Sequence, residues 1–260
     1  MRTLLSPILI VLFFLTSSCK TPTTVDERDF YQLNMYTLNG AEQETVMDKY
    51  LEDAYLPALR RAGIKKVGAF RTIEGKNGDL NLLMVFIPFK QISQVQELQS
   101  VIESDDEYLK AAEDFIQSPH DHPPYVRKES ILMTAFSKTP HFNVPDLETA
   151  KSERVYELRS YQSATEELYK RKVEMFDSGE SELFIELGFQ PMFFGEVLIG
   201  GDMPNLMYMT CHANEAAQAT NWESFRDHPE WKEMKVLDRY KNTVSQSDKY
   251  FLYPKEYSDF

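Results

Sequence analysis

Two cysteines, two tryptophans and five histidines are all that 260 residues supply of the side chains that most often mark disulfide frameworks, metal centres and cofactor boxes. Cys19 lies in the N-terminal segment and leaves Cys211 without an internal partner, which excludes a disulfide-stapled fold and a cysteine-rich zinc site. Basic residues are also scarce. With 28 Lys and Arg against 41 Asp and Glu the net charge is −13, a balance that repels phosphate backbones and argues against nucleic acid as a partner. The N-terminal apolar run, Leu4 to Leu15, is twelve residues long. As a helix it would reach about 18 Å, short of the roughly 30 Å hydrocarbon core of a bilayer. No P-loop, dinucleotide fingerprint, nucleophile elbow or metalloprotease motif occurs.

What is present at the N-terminus reads as an address. Arg2 followed by the apolar run has the form of an export signal. Thr16-Ser17-Ser18-Cys19, then the polar stretch Lys20-Thr21-Pro22-Thr23-Thr24, resembles the lipobox of bacterial lipoproteins, although Thr16 stands where that motif usually has Leu. The resemblance implies removal of residues 1–18, acylation of Cys19 and a tether over residues 19–28. Several acyl chains on one residue would hold the protein permanently on a membrane of a bacterial cell envelope, periplasmic or surface-facing. An ordinary cleaved signal peptide and an uncleaved anchor are the alternatives.

Past the tether the chain repeats itself at an offset near 125. Tyr31, Leu33 and Tyr36 return as Tyr156, Leu158 and Tyr161; Ala62-Gly63-Ile64 returns as Leu187-Gly188-Phe189; Asn81-Leu82 returns as Asn205-Leu206. Each copy opens on an alternating strand, continues into a capped amphipathic helix, and then runs strand, strand, helical region, strand. The helix starts are expected at Asn39-Gly40-Ala41-Glu42 and at the capping box Ser163-Ala164-Thr165-Glu166, with interruptions at Pro57 and Gly179. The order βαββαβ is that of a ferredoxin-like unit, in which helices cover one face of a four-stranded sheet. The open face needs a second layer. The expected class is therefore α+β: two tandem ferredoxin-like units, residues 29–138 and 154–260, packed sheet to sheet across a linker at 139–153.

Gly188-Phe189-Gln190-Pro191-Met192-Phe193-Phe194-Gly195-Glu196, Met203-Pro204-Asn205-Leu206-Met207-Tyr208-Met209-Thr210, Asn221-Trp222-Glu223-Ser224-Phe225 and Asp227-His228-Pro229-Glu230-Trp231 resemble the NIPSNAP family. Tyr156-Glu157-Leu158-Arg159-Ser160-Tyr161 fits its first strand. The first copy matches through Tyr31-Gln32-Leu33, Tyr55-Leu56-Pro57-Ala58-Leu59 and Val67-Gly68-Ala69-Phe70, with Asp106-Glu107-Tyr108 in place of the Pro-Glu-Trp element. The resemblance implies a dimeric α+β barrel with both halves in one chain. It brings no shared catalytic set.

Alternation along the second copy's first strand separates Tyr156 and Leu158 from Glu157, Arg159 and Tyr161. The first pair suits the helices, which would leave Glu157, Arg159 and Tyr161, with Gln32, Asn34 and Tyr36 of the first copy, lining the space between the sheets. Glu157 and Arg159 then either pair with each other or face a wet ligand pocket. Glu196 and Tyr208 join the same ligand-binding set, and His212, Arg159 and Tyr161 are the candidates for proton transfer on an organic substrate. Cys211, by parity, points to the helices. Trp222, Phe225 and Trp231 are spaced to seat a helix on the sheet, and Asp227 is positioned to cap the helix that Pro229 begins. His120-Asp121-His122 could offer metal ligands, but the flanking Pro119, Pro123 and Pro124 mark a solvated loop, so no metal site is expected. No cofactor is expected either, with haem as the exception that an oxidoreductase of this barrel superfamily would need. The leading functional expectation is a membrane-tethered protein that binds a small organic ligand or a protein partner; the alternative is a cofactor-independent or haem-using oxidoreductase.

Overall fold

The computed structural model describes residues 28–260, so the signal, Cys19 and most of the tether lie outside the described residues. Among the described residues eight strands run β1 Phe30–Thr37, β2 Gly68–Thr72, β3 Leu82–Phe89, β4 Arg127–Ala135, β5 Val155–Gln162, β6 Gln190–Ile199, β7 Asn205–His212 and β8 Gln246–Pro254. They close into one barrel in the order β1-β3-β2-β8-β5-β7-β6-β4. Within residues 30–135 and within 155–254 the spatial order of the four strands is the same. The sheets are not separate layers: β2 pairs with β8 through Phe70–Pro254, Arg71–Tyr253 and Thr72–Leu252, and β4 pairs with β6 through Leu132–Ile199 to Ala135–Gly195. Closure removes the open edges that two stacked sheets would expose. At the second seam a Cβ on Gly195 would lie 3.1 Å from the Cβ of Met133, so glycine permits the close approach.

Among the described residues nine α-helices lie outside the barrel: α1 Ala41–Tyr50, α2 Leu56–Arg61, α3 Ile92–Glu103, α4 Asp106–Ala111, α5 Glu113–Ile116, α6 Glu166–Met175, α7 Ser181–Glu186, α8 Glu215–Asp227 and α9 Pro229–Met234. A π-helical turn, Leu51–Tyr55, joins α1 to α2, and another, Phe176–Glu180, joins α6 to α7. The first immediately precedes Pro57, which enters α2 in its first turn. The second contains Gly179 at φ 134°, a conformation only glycine adopts cheaply.

Three caps differ from expectation. Gly40 is the N-cap of α1 and has no side chain to offer; Thr165, not Ser163, caps α6 by accepting from Leu168 N at 3.3 Å. Ser163 instead donates to the carbonyl of Thr243. The residue before Pro229 is His228, extended at the helix entry, while Asp227 pairs with Lys232.

The barrel interior corrects the expected orientation of the strands. Tyr31, Leu33, Phe70, Phe86, Met133, Tyr156, Leu158, Phe193, Met209 and Leu252 meet there, and Phe260 joins them. Phe86 stacks on Phe193 at 4.9 Å, and Tyr31 touches both rings at 5.3 Å. An eight-stranded barrel is just wide enough for side chains to fill. Each fully buried aromatic or aliphatic side chain contributes about 1.5–3 kcal/mol, so the large apolar set is drawn inward. Tyr156 and Leu158 therefore face inward and Glu157, Arg159 and Tyr161 face outward beneath the helices, the reverse of the expectation. Cys211 also lies inside, not under the helices, and burial pushes its thiol well above the usual range.

The outward faces pack on the helices. Leu83, Val85 and Ile87 meet α1 to α4 in the first half; Phe194, Leu206 and Tyr208 meet Phe176, Phe184, Trp222 and Phe225 in the second. No helix among the described residues is long and apolar enough to cross a membrane.

Candidate functional site

A cavity of about 390 Å3 opens in the second half between the outward face of β5 and β8 and the helices α6, α8 and α9, with Glu180 of the π turn. Strand pairing sets its floor: Arg159 stands between Tyr208 of β7 and Lys249 of β8, and Tyr161 stands opposite Ser247. On α8, Gln218, Trp222, Phe225 and Arg226 fall at helical spacing and share the face turned to the strands. Trp231 of α9 closes the side, packed on Phe225 at 4.5 Å.

The floor is a buried polar network. Glu157 is fully buried, and its Oε1 accepts from Arg159 Nε at 2.7 Å and Nη2 at 2.6 Å. Its Oε2 accepts from Trp222 Nε1 at 2.6 Å and Gln218 Nε2 at 2.7 Å. Every lone pair that burial would orphan has a donor. Arg159 also donates to Tyr161 Oη at 3.0 Å and lies 3.7 Å above the Trp222 ring, while Tyr161 and Tyr208 share a hydrogen bond of 2.9 Å. Burial and then the neighbouring Tyr161 hold the Tyr208 hydroxyl well above its usual range.

One wall carries a second buried ion pair. Lys172 Nζ donates to Glu180 Oε2 at 2.6 Å, with 5% and 3% of the two side chains exposed. In a straight α-helix residues eight apart are separated by about 12 Å along the axis. The π turn with Gly179 folds that distance away; a Cβ there would also press on Met234 at 3.3 Å. Lys172 Nζ sits 4.5 Å from the centroid of Phe176, 5.5 Å from Tyr161 and 5.7 Å from Trp231. Burial pushes the Glu180 carboxyl up, opposed by Lys172 and Arg159.

Of the residues expected to share a site, the structure brings together Glu157, Arg159, Tyr161 and Tyr208, at the helix-covered face instead of between the sheets. Gln32, Asn34 and Tyr36 are elsewhere: Gln32 donates to Asn34, Asn34 accepts from Ser130, and Tyr36 packs edge-on against Tyr125. Glu196 accepts from Tyr169 and Arg28, outside the cavity. His212 does not reach it either. Its Nδ1 accepts from Asn221 and its Nε2 meets Thr210 at 3.2 Å, and burial lowers its pKa from 6.5 to about 4, so it is neutral and engaged rather than poised as a base. His120, Asp121 and His122 lie exposed on their loop, and among the described residues no group of His, Cys, Asp and Glu is arranged to hold a metal.

Sequence reasoning missed Lys172, Glu180, Gln218, Arg226 and Lys249. One signal was available: Leu168, Lys172 and Met175 fall at apolar helical spacing, which puts a lysine at a core position of α6. A haem does not fit this chamber. No His, Cys or Met lines it, and the hydroxyl of Tyr161 is held by Arg159 and Tyr208.

Residues 156–259 match the family model NIPSNAP, so the second half carries a NIPSNAP domain. No curated protein matches the sequence. Among solved structures, a Lactobacillus acidophilus protein provisionally named a monooxygenase aligns over 88% of this chain and 94% of its own, at 11% identity and a TM-score of 0.57. A Fusobacterium nucleatum protein provisionally named the same way aligns over 87% and 92%, at 9% identity and a TM-score of 0.58. An anthrone oxidase-like protein aligns over 88% and 92%, at 12% and 0.51. At these identities the likeness is one of fold, the dimeric α+β barrel type.

Proposed function

We propose that the protein is a membrane-tethered, extracytoplasmic binding protein whose NIPSNAP domain takes a small anionic organic ligand with an aromatic body into the cavity under α6 to α9. One observation carries the reading. In a chain of net charge −13, the cavity is lined by Arg159, Lys172, Arg226 and Lys249 against the single carboxylate Glu180; counting Glu157 behind Arg159 still leaves two positive charges in excess. Arg226 and Lys249 are exposed at the mouth and have no ion-pair partner among the described residues. Tyr161, Trp222, Phe225 and Trp231 supply aromatic walls. Apolar walls with a few convergent polar groups are the usual make-up of a small-molecule site.

Calorimetric titration of the detergent-solubilised full chain tests this. Benzoate binds and benzylamine binds at least about tenfold more weakly, a difference of about 1.4 kcal/mol; reversing charge with Arg226→Glu and Lys249→Glu erases the preference. Equal affinity for the two compounds, or none for either, contradicts it and leaves a protein partner on the acidic exterior as the reading. The anchor at Cys19 is tested by fatty-acid labelling that marks the wild type and spares Cys19→Ala.

The chain also reads as a doubled unit, supported by the sequence offset and by the identical strand order of its halves. A second functional reading, cofactor-independent oxidation of a ligand held in the same cavity, is favoured by the fold shared with proteins named as monooxygenases and as anthrone oxidase-like. Oxygen uptake with an aromatic substrate that disappears in Arg159→Ala would support it.

A further inference from the structure

We infer that Lys172 is a nucleophilic amine that forms a Schiff base with an aldehyde or ketone held in the cavity, with Glu180 moving the protons. The inference rests on reading the cavity as a ligand site and goes beyond it by naming the reactive group of the ligand.

Three observations converge on Lys172. It is the one buried amine in the cavity lining; Lys249, the other lysine there, is exposed. Its only ionisable bond is to Glu180, the only carboxylate that lines the chamber, at 2.6 Å. Rings of Phe176, Tyr161 and Trp231 lie around the amine and keep water scarce. At that distance the ammonium proton passes directly to the Glu180 carboxylate, which leaves lysine as the amine that attacks carbonyls and Glu180 as the acid.

The fold does not require the pair. β1 and β5, α1 and α6, the two π turns, and α2 and α7 each begin 125 positions apart, at Phe30 and Val155, Ala41 and Glu166, Leu51 and Phe176, Leu56 and Ser181. By that offset Lys172 corresponds to Met47, fully buried, and Glu180 to Tyr55. The same helix, turn and helix are thus built in the first half from an apolar residue and an aromatic one. A buried ion pair is costly to desolvate and is often replaceable by packed apolar side chains, so its presence in one half alone points to chemistry.

The step balances. The Lys172 nitrogen lone pair attacks the carbonyl carbon as Glu180 gives its proton to the carbonyl oxygen. The carbinolamine then returns a proton from nitrogen to the carboxylate, which passes it to the departing hydroxyl. The products are a protonated imine, one water and an ionised Glu180, with no change of oxidation state.

The test uses the detergent-solubilised full chain with 4-formylbenzoate as the probe and sodium cyanoborohydride to reduce the imine to a stable amine, followed by peptide mapping. Lys172 is expected to be alkylated an order of magnitude or more faster than Lys249, because the bound probe is held beside it. Benzoate, which has no aldehyde to condense with the amine, should protect it. Glu180→Gln should slow labelling of Lys172 by about a hundredfold, the usual worth of a positioned proton carrier. Lys172→Arg keeps the positive charge and should abolish the adduct. Binding of benzoate without preferential labelling of Lys172 in the wild type overturns the Schiff base and leaves the ligand site standing. Failure of both compounds to bind overturns both.

Discussion

Met47 and Lys172 occupy corresponding places on helices that begin 125 positions apart, and the space around them is built oppositely. In the first half Tyr50 stacks on Phe115 at 3.6 Å and bonds Tyr108, Val85 stands opposite Asn34, and the interface under the helices is largely apolar. In the second half Tyr208 stands opposite Arg159, two ion pairs are buried and a cavity remains. The same helix, π turn and helix are therefore built with or without an ion pair at these two positions. What Lys172 and Glu180 add is part of a cationic chamber, at a desolvation cost that Met47 and Tyr55 do not carry.

The largest effect that would sharpen this contrast is at Glu157. Glu157→Ala strands the Arg159 guanidinium and the donors of Trp222 and Gln218, and should cost about 3–5 kcal/mol. Gln32→Ala, at the corresponding position, removes a single side-chain bond and should cost about 1 kcal/mol or less. Urea denaturation midpoints compare the two; similar losses would break the contrast.

Next is a pH dependence that only the second half can show. His212 faces Val155 as Phe89 faces Phe30, so the first half has no titrating group there. Burial lowers the folded pKa of His212 from 6.5 to about 4. The unfolded chain therefore takes up a proton first: this contribution is fully present above pH 6.5 and is lost as pH falls toward 4, amounting to about 3 kcal/mol. Unfolding curves between pH 7 and pH 4 should show that slope in the wild type and not in His212→Phe.

Importing the first half's residues into the second is the third test. Lys172→Met with Glu180→Tyr should leave the protein folded, with stability unchanged or raised by about 1–4 kcal/mol, while benzoate binding weakens. Lys172→Met alone should be worse than the double variant. It removes the cation that steadies Glu180, whose folded pKa lies above its ordinary 4.5, so the penalty is absent below that pH and grows as pH rises through the folded value. A double variant less stable than the single one would contradict the assignment of the pair. The smallest effect is at the helix entry: Thr165→Ala should cost about 1 kcal/mol, and Thr165→Gly, which copies Gly40, only a few tenths.

Much of this architecture is legible in the sequence. The alternation of β1 and β5, the strand order βαββαβ and the breaks at Pro57 and Gly179 all follow from local pattern. Orientation is not. Alternation separates Glu157, Arg159 and Tyr161 from Tyr156 and Leu158 but cannot say which set faces the barrel, because both faces of a closed, helix-covered sheet are buried. Closure is equally silent, since β2 meets β8 across some 180 positions without a local signal. The cavity wall depends on the π turn at Gly179, which brings Lys172 to Glu180; helical periodicity would keep them apart. Lys172 at an apolar position of α6 was the one sequence clue to it.

Both tryptophans of the chain, Trp222 and Trp231, line the cavity, so their two indole N–H resonances report on it alone. Titration of the full chain with benzoate should shift both resonances saturably, with the same affinity that calorimetry gives. Resonances that stay in place while benzoate binds elsewhere, or that drift without saturation, would contradict a ligand site under the helices of the second half.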